Sequence, residues 1–321
     1  MLAISVSYPK VLHMRLQSYS INAQAFEAFR SRAAKVPLWC SRRTQILEAL
    51  SDAVHKELGS SFCDAIAQAF YCREHGAIQL NCPEWTDPLT FNRFLIGIGM
   101  VLGGQPIVQP GQHDVTRHNE LAHHSPEQVQ TSIRSAYRHD PLHTDGHGFQ
   151  SLTMDYLAIG CVERRGCSFE SAHTKLLHVD DWPQYDDYAA SELGKTPFNV
   201  AYWRWNKRPQ SLECLADLED NPEVSLRQEM LFFHHPLFGK GISFLCGHIV
   251  PTNVTQKRFL REVQESIEST GCQTRFALLP GQILLLNNIF WLHGRTPIEP
   301  NQMLFRKLVS VHFHYSIHRA R

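Results

Sequence analysis

Leu284-Leu-Leu-Asn-Asn-Ile-Phe-Trp-Leu-His-Gly-Arg-Thr-Pro297 decides how this chain is read. Leucines of the kind that fill a buried strand run into two asparagines, then an apolar patch, then His293-Gly294-Arg295. A histidine after an apolar run has two readings, a satisfied core residue or a ligand presented at a strand end. β pattern continues on both sides. Upstream, residues 275–279, Pro280-Gly281 and residues 282–286 read as two strands joined by a tight turn. Downstream, residues 304–315 read as a last strand. Arg306, Leu308, Ser310, His312 and His314 share one of its faces, and Lys307, Val309, Val311, Phe313 and Tyr315 share the other. The second face is apolar and packs. The first is polar, and it either meets solvent or lines a wet cavity.

A ligand at His293 needs partners, and His143-Thr144-Asp145 offers them. On an extended segment residues i and i+2 project to one side, so an imidazole and a carboxylate can converge on one metal ion. A distal histidine completes two His and one carboxylate. This set caps one face of an octahedron and leaves three positions open, as in non-haem Fe(II) oxygenases. The dyad alone is weak, because with 19 His in 321 residues about one His-x-Asp is expected by chance. A second one, His178-Val179-Asp180, sits where a strand ends, and Asp180 and Asp181 read there as turn or capping residues. Arg306 follows His293 by thirteen residues on the polar face of the last strand. It reads as a surface residue or, if a dicarboxylate cosubstrate is used, as the planar fork that grips one carboxylate.

The rest of the chain sets the frame. The first hundred residues read as helical. Ile46, Leu47, Leu50, Val54 and Leu58 recur at helical spacing behind Ser41 and Thr44, both candidate caps. Ala65, Ile66, Ala69 and Phe70 continue the style, and Phe91, Phe94, Leu95, Ile98 and Leu102 mark another helix that stops at Gly103-Gly104. Residues 105–142 are loop-rich, and residues from 149 onward are β-rich, with strands expected at 149–161 and 174–179 and weaker ones at 231–233 and 242–244. One further helix carries Phe259, Leu260, Val263 and Ile267, with Thr255 as cap and Gly271 as stop. The expected class is α+β in a single domain over 1–321, with a helical part to about 104 and the β core from 143. Lys+Arg and Asp+Glu balance at 31 each, which gives no electrostatic reason to bind nucleic acid or an acidic membrane. Nine cysteines without a Cys-x-x-Cys pair read as reduced thiols of a cytoplasmic protein. No apolar run suits a membrane span, and the first residues do not read as a secretory signal. The cluster Trp203, Arg204, Trp205 and Arg208 reads as packing or lid.

Taken together, His143-Thr-Asp145-Gly, Leu176-Leu-His-Val-Asp-Asp-Trp182 and the run from Gly281 to Arg295 resemble the CsiD family of glutarate 2-hydroxylases, within the wider taurine-dioxygenase and clavaminate-synthase group. The resemblance is clearest over 137–315. It implies a double-stranded β-helix (jelly-roll) core with N-terminal and inserted helices. It also implies Fe(II) held by His143, Asp145 and His293, 2-oxoglutarate and O₂ as cosubstrates, and the far carboxylate of 2-oxoglutarate on Arg306 near Thr174. The activity implied is hydroxylation of a small polar molecule with release of succinate and CO₂. Asp145 argues against the related halogenases, which carry a small residue there. A homo-oligomer is implied by resemblance alone.

The departures lie at the substrate end. Relatives carry further arginines near the end of the last strand, where this chain has Ser310 and His312. These two are the candidate substrate contacts. A buried carboxylate without a cation is costly, which argues against glutarate itself. Residues 164–173 are also longer than the compact turn expected. The competing readings are a glutarate 2-hydroxylase proper, a jelly-roll binding protein that keeps its metal cage without turnover, and a zinc hydrolase, which leaves Arg306 unexplained.

Overall fold

The structure is a computed structural model that describes residues 15–36, 43–83, 88–107, 117–122, 139–145, 154–166, 172–203, 224–245, 247–297 and 305–315. Ser41, most of the segment 105–142, residues 167–171 and the basic cluster beyond Trp203 lie outside the described residues.

The helical spacing read in the first hundred residues is realised in helices, though not throughout. Helix α1 (Ala23–Ala33) starts at Asn22, whose side-chain oxygen accepts from the N–H groups of Gln24 and Ala25, and it buries Phe26, Phe29 and Ala33. Helix α2 (Arg43–Leu58) turns Leu50 and Val54 inward; it begins before Thr44, which therefore lies within the first turn and is not its cap. Helix α3 (Ser60–Tyr71) buries Cys63, Ile66, Ala69 and Phe70. Helix α4 (Pro88–Val101) is buried on all sides from Thr90 to Gly99, as its apolar circumference requires.

Two larger sheets and two smaller ones form the β half. The main sheet runs β1 (Leu16–Ser20), β2 (Ala77–Asn81), β14 (Gln282–Asn287), β6 (Tyr156–Arg165), β16 (Phe305–Tyr315) and β3 (Gly104–Pro106), with β4 (Arg117–Ala122) also paired to β16. The β1–β2 pair is parallel and the others are antiparallel. The second sheet is antiparallel throughout, in the order β13 (Thr274–Phe276), β7 (Thr174–His178), β15 (Trp291–Arg295) and β5 (Asp140–His143). A smaller sheet joins β12 (Ile249–Val250), β8 (Phe198–Trp203) and β9 (Val224–Glu229), and β10 (Phe232–His235) and β11 (Gly239–Ile242) form a hairpin. Helices α5 (Tyr185–Ala190) and α6 (Val254–Ser269) are inserted among the strands. One continuous buried cluster runs from Ile21 to Tyr315. Helix α4 lies on β6 and β16, where the Tyr156 hydroxyl donates to Gly99 O at 2.6 Å and Phe313 stacks on the Tyr156 ring. Each such aromatic side chain contributes about 1.5–3 kcal/mol by leaving water.

Three expectations are corrected. The tight turn before β14 exists, with Gln282 N–H on Leu279 O and Gly281 at a φ of +80°. The strands it joins are not a hairpin, however: β13 enters the second sheet and β14 the main one. Local alternation records which residues are extended and says nothing of which neighbour completes their hydrogen bonds. Secondly, α6 is capped by Asn253, which accepts from Gln256 N–H at 2.8 Å, and not by Thr255; its C-cap is Thr270, with the expected stop, Gly271, directly after it. Thirdly, the first hundred residues are not helical throughout, because β1 and β2 lie among the helices and extend the main sheet beyond β14. On β16, whose polar face allowed two readings, Arg306, Ser310 and His312 are all buried. Among the described residues no helix is long and apolar enough to cross a membrane.

Candidate metal centre

Antiparallel pairing of β5 with β15 sets His143 directly opposite His293. Residues opposite one another project to the same face, so the two imidazoles emerge side by side, with ring centroids 4.4 Å apart. Asp145 follows just past the end of β5. Its Oδ1 lies 3.9 Å from His143 Nε2 and its Oδ2 lies 3.7 Å from His293 Nε2. One ligand atom from each of the three residues falls within 4.8 Å of the others. Neighbouring donors on one octahedral ion with bonds of about 2.1 Å sit roughly 3 Å apart, so small side-chain movements would suffice for this set to hold one.

The donor chemistry also suits a metal. His143 Nδ1 lies 2.8 Å from Pro141 O. A carbonyl carries no hydrogen, so Nδ1 donates to it, and the other ring nitrogen, Nε2, faces Asp145. Burial, helped by the neighbouring His143, lowers the pKa of His293 to about 4, so its imidazole is neutral and has a lone pair to give. Burial opposes ionisation of Asp145, but His312 and His293 beside it and the His312 hydrogen bond outweigh this and hold the carboxyl well below its usual range. Two imidazoles and one ionised carboxylate, converging in a buried space, fit a divalent transition metal.

The backbone around these ligands is pinned from several directions. Thr144 N–H donates to Phe244 O at 3.0 Å, and Phe244 N–H donates to Thr144 Oγ1 at 2.8 Å. Asp145 N–H donates to Asn288 Oδ1 at 2.9 Å, while Asn288 Nδ2 donates to Asp145 O at 2.6 Å and to Met154 O at 2.7 Å. Behind β5, Glu268 on α6 accepts Leu142 N–H and pairs with the buried Lys175 Nζ at 2.7 Å. Helix α6 thus braces the strand that carries His143.

Of the candidate residues, the structure brings together His143, Asp145, His293 and His312. The last was expected to face a substrate; its Nε2 lies 2.8 Å from Asp145 Oδ2. Ser310 and Arg306 lie farther along the same buried face of β16, Arg306 roughly 20 Å of extended strand from His312. Thr174 is buried on β7, in register with Arg295. The second His-x-Asp is spent on hydrogen bonds and ion pairs. His178 Nε2 donates to Arg73 O at 2.9 Å and its Nδ1 accepts Asp180 N–H at 3.1 Å, so both ring nitrogens are engaged. Asp180 is bonded to Arg73 and Asp181 to Arg15. Sequence reasoning missed Asn288 and Thr144. The signal for Asn288 was present, since an amide set in an apolar run is buried and must find partners.

The architecture is that of the non-haem iron oxygenases with a jelly-roll core. The solved structure of the non-heme iron oxygenase OrfP in complex with Fe and alpha-ketoglutaric acid superposes with a TM-score of 0.64 at 14% identity, covering 95% of this chain and 96% of that one. An asparagine oxygenase in complex with Fe(II), 2S,3S-3-hydroxyasparagine and succinate superposes with a TM-score of 0.67 at 13% identity, covering 95% of each chain. Within that class the chain belongs to the CsiD family, whose model matches residues 8–315. It is 25% identical over 183 residues to the glutarate 2-hydroxylase of Pseudomonas putida, a match over 55% of this chain. The chain spans about half the length of that curated relative, 49%.

Proposed function

We propose that this chain is a single-domain Fe(II)- and 2-oxoglutarate-dependent oxygenase that hydroxylates a small polar molecule resembling an amino acid or carboxylic acid. The convergence of His143, Asp145 and His293 in a family of this kind carries the reading. In this reading these three residues hold Fe(II), which when bound couples oxidative decarboxylation of 2-oxoglutarate by O₂, giving succinate and CO₂, to hydroxylation of a substrate C–H bond. Three protein donors of this kind would leave room on the ion for a cosubstrate.

The remaining roles fall to residues of this chain. Arg306, buried on β16, offers a guanidinium fork for the far carboxylate of 2-oxoglutarate, with Thr174 as a hydroxyl partner. Burial excludes water and strengthens that ion pair. Ser310, between Arg306 and His312 on the same face, presents a neutral hydroxyl to the substrate end. The relatives are named for or bound to glutarate, L-Arg and hydroxyasparagine, which supports an amino-acid-like or carboxylic-acid substrate. Glutarate itself remains the second reading on the strength of the named relative, and the neutral Ser310 opposes it.

The test is anaerobic. Metal-free protein given Fe(II) and then 2-oxoglutarate is expected to develop the weak visible charge-transfer band of a chelated keto acid. His143→Ala should abolish the band and Arg306→Ala should weaken it at least tenfold in 2-oxoglutarate affinity. Succinate release with a panel of amino acids and dicarboxylates then ranks substrates. Iron binding without a band, or an Asp145→Ala protein that releases succinate at the wild-type rate, refutes the oxygenase reading.

A further inference from the structure

We infer that His312 is a positioning residue for the metal-binding carboxylate: it occupies Asp145 Oδ2 and leaves Oδ1 alone to bind the metal. The inference rests on the metal centre of the proposed function and not on turnover. The two carboxylate oxygens are almost equivalent with respect to the histidines, Oδ1 lying 3.9 Å from His143 Nε2 and Oδ2 lying 3.7 Å from His293 Nε2. Nothing within the triad therefore selects between them. Asn288 fixes the backbone of Asp145 through its N–H and C=O, yet the side chain can still rotate about its own bonds. The contact that breaks the equivalence comes from the other sheet, where His312 Nε2 lies 2.8 Å from Oδ2. An ionised carboxylate only accepts, so the hydrogen belongs to Nε2 and His312 is the donor. His312 is buried, 4% exposed, so water does not readily replace it.

This contact governs coordination number. A carboxylate that binds through both oxygens takes two positions on an octahedral ion and, with two histidines, leaves two. One that binds through a single oxygen leaves three. A chelating keto acid fills two positions, and a further reactant needs the third. By engaging Oδ2, His312 keeps that third position available. A hydrogen bond from outside the ligand set also orients the ligand and is commonly worth a factor of 10–100 in metal affinity.

The experiment uses the full chain with Co(II), without cosubstrate or O₂, and reads affinity by calorimetry and geometry by the visible ligand-field spectrum. His312→Leu removes the donor and is expected to lose at least tenfold in Co(II) affinity and to change the band intensity. His312→Gln, whose amide nitrogen reaches about as far as Nε2, is expected to restore both. His312→Asn, one bond shorter, is expected to resemble Leu; it keeps the test open should the Leu variant fail to fold. Wild-type affinity and spectrum in the folded Leu or Asn variant overturn the inference. So does a Gln variant that is folded and as impaired as Leu. A KM effect on substrate with unchanged Co(II) binding would make His312 a substrate contact and also overturn it. If wild type binds Co(II) but never consumes 2-oxoglutarate with Fe(II), the oxygenase reading fails and this inference stands.

Discussion

Asn288 spends its whole side chain on its surroundings: one oxygen accepts from Asp145 N–H, and both amide hydrogens go to carbonyls, those of Asp145 and Met154. Each partner is a main-chain group that burial would otherwise leave unpaired, at about 1–3 kcal/mol apiece. Asn288→Ala is therefore expected to destabilise the protein by roughly 3 kcal/mol or more, read as a shift in urea midpoint. It should also weaken metal binding, since the Asp145 backbone loses its anchor. Asn288→Asp should be worse, because it turns an acceptor toward two carbonyls. At this scale the sequence was informative about residue types and silent about pairing. His143, Asp145 and His293 were legible because their chemistry restricts what they can do together. His312 was legible as a site residue, but its partner was not. A histidine on a polar strand face can serve a substrate or a ligand equally, and the register between sheets that decides this leaves no mark on the last strand alone.

At the scale of elements, the site depends on how closely β5 approaches β15. Gly294 stands between His293 and Arg295, and a Cβ placed there would lie 2.7 Å from Asp140 O and 3.0 Å from Pro141 C. Those are main-chain atoms of β5 and cannot swing aside. Gly294→Ala is expected to push β5 away, destabilise the protein by about 1–3 kcal/mol, and lower metal affinity at least tenfold by separating His143 from His293. Titration of the variant with Mn(II), followed by electron paramagnetic resonance, measures this; affinity equal to wild type would show that the strands are not so tightly matched. The helices were legible at this scale because 3.6-residue spacing is written locally, as in Phe259, Val263 and Ile267 on α6. The strands at 274–276 and 282–287 were legible as strands and misread as partners. Each finds its neighbours far away, Lys175 opposite Arg275 and Ala158 opposite Leu285, and no local signal carries that information.

For the whole molecule, a polar latch joins the N-terminal part to the second sheet. Arg15 pairs with Asp181, Arg73 pairs with Asp180, and His178 donates to Arg73 O. Accepting Asp180 N–H requires His178 Nδ1 to be unprotonated, and burial, with Arg15 nearby, lowers its pKa to about 4. The unfolded chain protonates this histidine near 6.5. Between pH 6.5 and 4 the unfolded state therefore binds a proton that the folded state refuses, and stability falls as pH falls through that window, by up to roughly 3 kcal/mol from this group. Asp180, also lowered, adds loss in the same direction at still lower pH. Denaturant midpoints of metal-free protein at pH 7 and pH 5 should show this slope, and His178→Gln, which can still donate to Arg73 O, should flatten part of it. An unchanged slope would assign the acid sensitivity to other histidines. The jelly-roll itself came from the family likeness, since alternation alone gives a β-rich half without its wrapping order.

The register that sets His143 against His293 spans 150 residues of chain, and the bond from His312 to Asp145 spans 167. Helices α1 to α4 are short-range structures that close early, whereas strand pairings of this separation carry a large loop-closure entropy and form late. A nascent chain that has emerged only as far as Asp145 owns two of the three ligands, and nothing holds them. The three candidate ligands come together only when β15 has paired with β5, so a metal held by this set would report that long-range pairing.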